Sequence, residues 1–591
     1  MATQTYNPVQ DRGVSWRDYL PFLDWLVNYK REHLSGDVIA GVIVAVMLVP
    51  QGMAYALLAG LPPQVGLYAS ILPLIIYGLL GTSRTLAVGP VAVVSLLVAS
   101  GIGALNPATT EEYIALALTL ALMVGIIQVA MGFLRVGFLV NFLSHPVLSG
   151  FTSGAAVMIA LSQLKNVFGF DVPRSEQFHA LILSTISRID QTNIAIFAIS
   201  MASIGVLLYF KFALGKHLKA LGVSNVVALT LTKIGPLLIV VGGVLIVSVF
   251  GLHQSADVAI VGAVPGGLPP LTIPLFDVAT WQALLPIALT ISIVSYMESI
   301  SVGKALAAKR RQKIDANQEL IALGAANFGA TFTGGYPVTG GFSRSMVNFT
   351  AGANTGLASL ITAGLVLLTV LFLTPLFYYL PNAVLAAIVV VAVASLVDVG
   401  AFLHAWHYDK SDAISLLVTF LAVIQLGVEV GILVGAAASM GLYLWRTSRP
   451  HVAVVGRIGE TEEYRNILRH ETQTFPNILA LRVDESLYFP NAQYLEDVVL
   501  GHVADNPQID HFVLVCSAVN YIDISALEVL RDVHERLRDN DIGFYMAEVK
   551  GPVMDRLEAI GFADRMGRQN FFLTTHEACK TLRQLGKAQA F

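Results

Sequence analysis

Up to residue 449 the chain is a succession of apolar blocks separated by glycine, proline or charge. The blocks lie near 36–60, 64–80, 85–102, 112–134, 142–165, 190–213 and 221–251, and again near 281–303, 315–331, 337–352, 354–376, 381–397, 411–427 and 428–446. A helix needs about 20 apolar residues to cross a bilayer, so the longer blocks read as spans and the shorter ones as segments unable to cross alone. The pattern predicts an α-helical polytopic membrane region of about 14 segments in two sets of seven. After Arg449 the residues become mixed and charged. Strand-like runs at 477–483, 511–516 and 543–549 alternate with amphipathic stretches such as 526–538, which predicts a soluble α/β domain. Three regions follow: a polar segment 1–35, a membrane region 36–449 and a soluble domain 450–591.

The third block of each set is irregular in the same way. In the first set, TSRTLAVGPVAVVSLLVASG (82–101) has an extended, β-branched lead-in broken at Gly89-Pro90 before a short apolar helix. In the second, GGYPVTGGFSRSMVNFTAG (334–352) is broken by Gly334, Gly335, Pro337, Gly340 and Gly341 before a half-helix expected to start near Thr339. Irregular backbone at membrane depth is tolerated only where protein or a polar cavity satisfies it. Interrupted segments at matching places in two halves point to an inverted-repeat transporter with its site at the repeat interface.

Arg344 sharpens this reading. A cation at bilayer depth costs about 2.5–3.5 kcal/mol even on mild insertion scales, so it faces a cavity or a partner. Two helix N-termini, at Pro90-Val91-Ala92 and at Phe342-Ser343-Arg344, would offer an anion free N–H groups, positive dipole ends and a hydroxyl. Arg344 either grips that anion, sets the field from behind it, or pairs with backbone carbonyls.

Composition narrows the class. Of 591 residues, 55% are hydrophobic and 13% charged, too apolar for a soluble protein. The net charge of −4 gives no footprint for nucleic acid. Both cysteines, Cys516 and Cys579, lie in the polar C-terminal part, so no disulfide framework is expected. The first 35 residues are polar and mixed in charge, unlike a cleavable signal. With both termini cytoplasmic, Arg84, Arg135, Lys211, Lys216, Lys219, the basic run 304–313 and Arg446 all fall inside. The external connections 106–112 and 253–277 then contain no Lys or Arg, in keeping with the positive-inside rule. No metal-ligand spacing and no phosphate-cradling loop appears, so neither metal, cofactor nor ATP-driven pumping is expected.

The runs VPQGMAYALLAGLPPQVGLYAS (49–70), GTSRTLAVGPVAVVSLL (81–97) and GGYPVTGGFSRSMVNFTAG together resemble the SulP sulfate-permease family of anion transporters. VNYIDISALEVLRDVHERL (519–537) resembles the STAS domain of sulfate transporters and anti-sigma-factor antagonists. One departure is Val65, where the family signature often carries tyrosine. The resemblance implies a 7+7 inverted repeat with core and gate domains, a homodimer, and alternating access in which the core moves like an elevator. It also adds Gln51 and Tyr55, matching positions that line the anion site in relatives. They sit four apart and share a helical face; Tyr55 is equally readable as interhelix packing.

Glu298 matches a family position associated with cation coupling. A carboxyl that takes up a proton beside a bound dianion removes charge repulsion, which links proton and anion binding positively. In a sodium-coupled relative a hydroxyl residue stands four positions after the acidic one; here Val302 does, which favours protons. The competing reading is a structural ion pair between Glu298 and Arg344. Ser525 matches the phosphorylated serine of the antagonists, against the plainer reading that it caps a helix. Asn141, His145, Thr152 and Asn327 read as packing groups.

The expected function is secondary active anion transport in a plasma or inner membrane, with inorganic sulfate as substrate and protons as the coupling ion. Bicarbonate, chloride/oxalate or dicarboxylate transport, an anion channel and an anion sensor are the alternatives.

Overall fold

In the computed structural model, residues 20–138, 144–171 and 178–585 are described, and Asn141 lies outside them. The chain separates into two compact units at Ser439/Met440. The first unit is helical. Its main elements are α1 (Arg31–Leu58), strand β1 (Val88–Gly89), α2 (Ala92–Gly103), α3 (Thr110–Phe133), α4 (His145–Ser162), α5 (Ile194–Tyr209), α6 (Val278–Lys309), α7 (Ala316–Phe332), strand β2 (Thr339–Gly340), α8 (Phe342–Thr350), α9 (Leu357–Leu368), α10 (Asn382–Val393) and α11 (Lys410–Leu426). The last long helix, α12 (Val428–Ser448), runs across the division. Among the described residues eight helices are long and apolar enough to cross a membrane; α2 and α10 are shorter apolar pieces.

Close backbone approach organises the interior. Helices α3 and α7 pack along each other, and a Cβ added to Gly324 would come within 2.7 Å of the Gly125 carbonyl oxygen. Small residues at such crossings replace the hydrophobic drive that lipid does not supply.

The two interrupted segments meet. Strand β1 pairs antiparallel with β2, Val88 opposite Gly340 and Gly89 opposite Thr339. Antiparallel pairing is what two copies of one motif inserted in opposite directions must give. It also corrects the expected start of the second half-helix: α8 begins at Phe342, because Thr339 and Gly340 are held extended by β1. At Gly89 the backbone adopts φ +151, a conformation open to glycine.

The second unit carries a six-stranded sheet in the order β4-β3-β5-β6-β7-β8: β3 (Val452–Arg457), β4 (Tyr464–Asn466), β5 (Ile478–Val483), β6 (His511–Val515), β7 (Gly543–Ala547) and β8 (Phe571–Phe572). Strand β3 is antiparallel to both neighbours and the rest are parallel. Helices α13 (Phe489–Asp505) and α14 (Ile524–Arg538) supply buried leucines and valines to one core with Leu479, Leu481 and Val483. The alternate residues Ile478, Ala480 and Val513 bury against Ala578, Cys579 and Leu582 of α15 (Thr575–Gln584). This period-2 division is why those strands read as continuous apolar runs.

Candidate functional site

Each half-helix starts directly after the strand pair. The N-cap of α2 is Val91 (φ −134, ψ 142) and that of α8 is Gly341 (φ −93, ψ 129), and neither cap makes a side-chain hydrogen bond to its helix. By contrast, Asp277 caps α6 and Asp315 caps α7 through their carboxylates. The first-turn N–H groups of α2 and α8 therefore have no capping side chain, and their positive dipole ends lie within three residues of the β1–β2 pair.

A buried polar network holds the strand pair in place. The Ser345 hydroxyl accepts from the Ala87 N–H (2.9 Å) and donates to the Gly341 carbonyl (2.7 Å). The Ser299 hydroxyl accepts from the Gly340 N–H (2.8 Å), and the Thr339 hydroxyl donates to the Ser295 carbonyl (2.7 Å). The Asn327 amide accepts from the Val338 N–H (2.9 Å), donates to the Val338 carbonyl (3.2 Å) and donates to Gln128 (3.1 Å). It imitates a strand partner, satisfying backbone that has no water to turn to. On the lead-in to β1, the buried Glu319 carboxylate accepts from the Thr82 and Ser83 N–H groups, the Thr82 hydroxyl and the Tyr77 hydroxyl. Asn327 is thus more than a packing group. Ser299, Ser345 and Glu319 were not singled out from sequence, although the i, i+4 spacing of Ser295 and Ser299 marks one polar face on α6.

Arg344 is 2% exposed, with its guanidinium against Gly89 and Gly341. Its Nε and Nη2 are buried and have no hydrogen-bond partner. Among the described residues neither Glu298 nor a backbone carbonyl pairs with these donors. Orphaned buried donors cost about 1–3 kcal/mol each, more when charged.

Gln51 and Ser343 line one cavity of about 750 Å³, together with Lys211, Lys216, Lys219 and Lys233. Val91, Ala92 and Tyr55 are buried, and Glu298 is half-buried. The structure thus opens Gln51 and Ser343 to the cavity. Thr152 returns its hydroxyl to the Leu148 carbonyl of its own helix (2.9 Å), and His145 is exposed at the start of α4.

Ser525 belongs to the other unit, exposed in the first turn of α14. It does not cap that helix. Asp523 does, accepting from the Ala526 N–H (2.8 Å) and also from the Phe489 N–H (2.8 Å), because it is the residue that holds extended backbone (φ −84, ψ 174) before the first turn.

Uncapped helix ends, a guanidinium with unpaired donors, a hydroxyl and an amide fit a tetrahedral oxyanion. Known proteins agree in kind. The sulfate permease family matches residues 34–419 and the STAS domain residues 469–578. The probable sulfate transporter 4.2 of Arabidopsis thaliana is 39% identical over 95% of this chain and 83% of its own length. Sulfate transporter 4.1 of the same plant, described as chloroplastic, is 38% identical over 97% of this chain and 84% of its own. Among solved structures, the murine Solute Carrier 26 family member A9 anion transporter, in its inward-facing state, superposes with a TM-score of 0.86 at 26% identity, covering 98% of this chain and 97% of that one.

Proposed function

Since this chain belongs to the sulfate permease family and carries a STAS domain, we propose that it is a secondary active transporter that carries sulfate together with protons. At the coarser level it is an integral membrane protein for anion transport, a transporter and not an enzyme. The observation that carries the finer reading is the pair of unpartnered Arg344 donors beside two uncapped helix N-termini. The four cavity lysines raise the local concentration of anions. Sulfate is held by backbone N–H groups near Ala92 and Phe342, by the Ser343 hydroxyl and the Gln51 amide, with Arg344 supplying charge and the Tyr55 ring forming a wall.

Glu298 takes the proton. Its carboxyl forms no ion pair with Arg344 among the described residues, which leaves it free to change protonation as the anion comes and goes. Alternating access is supported by the polar network in which Gln128 of α3, Ser295 and Ser299 of α6 and Asn327 of α7 are bonded to one another and to the lead-in of the second half-helix. These elements would move together as an elevator against the gate helices of a homodimer in the lipid bilayer. We place both termini in the cytoplasm of a plasma or inner membrane. Phosphorylation of Ser525 would put a dianion at a helix start, where the dipole tolerates it.

Sulfate uptake into proteoliposomes tests this, with and without an inward proton gradient. Saturable accumulation only with the gradient is expected. Equal uptake without it removes proton coupling, and saturable uptake of bicarbonate or chloride unaffected by sulfate would assign another substrate.

A further inference from the structure

The second unit holds a basic pocket that transport does not use. It has a volume of about 370 Å³ and is lined by His451, Arg465, Asn466, Arg469, His470, Arg482 and Asp484. The sheet builds it. Strand β4 places Arg465 opposite Gly456 and strand β5 places Arg482 opposite Ala453, on either side of β3. A tight turn then follows β4: the Asn466 carbonyl accepts from the N–H groups of both Arg469 and His470 (3.0 and 3.1 Å), and its side chain accepts from the Leu468 N–H (2.8 Å). Asn466 is buried, so the turn is anchored while Arg469 and His470 project from it.

The charges in this pocket do not balance. Its one carboxylate, Asp484, is committed: Arg482 reaches it through Nε (2.6 Å) and Nη2 (3.1 Å), and His451 through Nδ1 (2.6 Å). Partial burial works against the Asp484 charge, yet Arg482 and His451 outweigh it and hold the carboxyl below its usual range. Arg465 has only the rim residue Glu463 (3.1 Å), itself well exposed. The side chains of Arg469 and His470 have no hydrogen-bond or ion-pair partner among the described residues. Three guanidiniums line the pocket against one lining carboxylate, and an oxyanion accepting from several planar forks at once offsets that excess positive charge. A water molecule's share of volume is about 30 Å³, and small-ligand sites start near 300 Å³. The pocket is therefore larger than a bare phosphate needs.

We propose that this pocket binds a phosphomonoester carrying a small organic group, through Arg465, Arg469 and His470. The source is either a soluble ester or the headgroup of a lipid. His451 follows Ser448, the end of α12, by three residues, so chain length alone keeps it within about 11 Å of that helix end. Lipid headgroups are thus within reach as well. The inference stands apart from the transport reading.

Hydrogen exchange of the full chain in nanodiscs tests it, followed over 463–472. Glycerol 3-phosphate is added to phosphatidylcholine discs, and in a second arm phosphatidic acid is built into the discs. Protection by the soluble ester in phosphatidylcholine supports the site with a soluble ligand; protection only with phosphatidic acid supports it with a lipid one. The double variant R465Q/R469Q should raise the midpoint of protection about tenfold or more. Glu463→Gln frees Arg465 from its competitor and should lower the midpoint severalfold, a gain that misfolding cannot imitate. No protection in either arm, an unchanged midpoint in R465Q/R469Q, or a midpoint in Glu463→Gln that does not fall overturns the proposal.

Discussion

The two half-helix starts share a backbone and differ in chemistry. At α2 the first residues are apolar and buried, Val91 at 7% and Ala92 at 3% exposure, so that end offers an anion nothing but N–H groups and a dipole. At α8 the start is more polar and partly open: Ser343 lines the cavity, Arg344 is buried against Gly89 and Gly341, and Ser345 braces the opposing strand. The repeated motif keeps an uncapped helix start on both sides and concentrates the side-chain chemistry on one. Backbone amides cannot be lost by point mutation, except to proline, which makes the bare side the more durable half.

Five substitutions break or sharpen this contrast. The largest effect is expected from Glu298→Gln, which should abolish proton-driven accumulation while leaving sulfate exchange measurable; unchanged accumulation would remove Glu298 from the coupling. Next, Arg344→Ala should weaken sulfate binding about 100-fold, while thermal stability holds or rises because a cation costing about 2.5–3.5 kcal/mol at depth is gone. If stability collapses and binding survives, Arg344 is a structural group. The backbone comparison is sharpest with Ala92→Pro against Phe342→Pro. Both positions open a helix after an extended residue, where proline's φ fits and the first N–H is deleted, together with a half-exposed phenyl ring at Phe342. Each should weaken sulfate about tenfold at unchanged melting temperature, and a loss confined to one of them would show that the anion rests on a single helix end. Ser343→Ala should have the smallest effect, a rise in the sulfate KM of about 2- to 10-fold with transport rate preserved. No change there would take the hydroxyl out of the first contact.

Much of this was legible beforehand for physical reasons. Glycine and proline punctuate a membrane segment loudly, so both breaks were visible at Gly89-Pro90 and at 334–341. The start of α8 was misplaced by three residues because what holds Thr339 and Gly340 extended is a strand from the other half of the chain. The same distance hid the clamps. Glu319 serves Thr82 from 237 residues away, and Asn327 serves Val338 across a helix end where no periodicity links them. In the second unit, β5, β6 and β7 showed as apolar runs since both their faces are buried. The edge strand β4 has only Tyr-Arg-Asn, and its role in forming a pocket appears once β3 pairs with it.

The strand pair also dates the site. Ala87 and its brace Ser345 stand 258 residues apart, and at about 5–20 residues per second of synthesis the first half waits on the order of 10–50 s for its partner. Throughout that interval the lead-in lacks its strand partner β2 and its brace Ser345. A nascent chain halted before residue 339 is therefore recognisable as unfinished from within the bilayer. Two halves expressed as separate pieces should be short-lived alone and persist together.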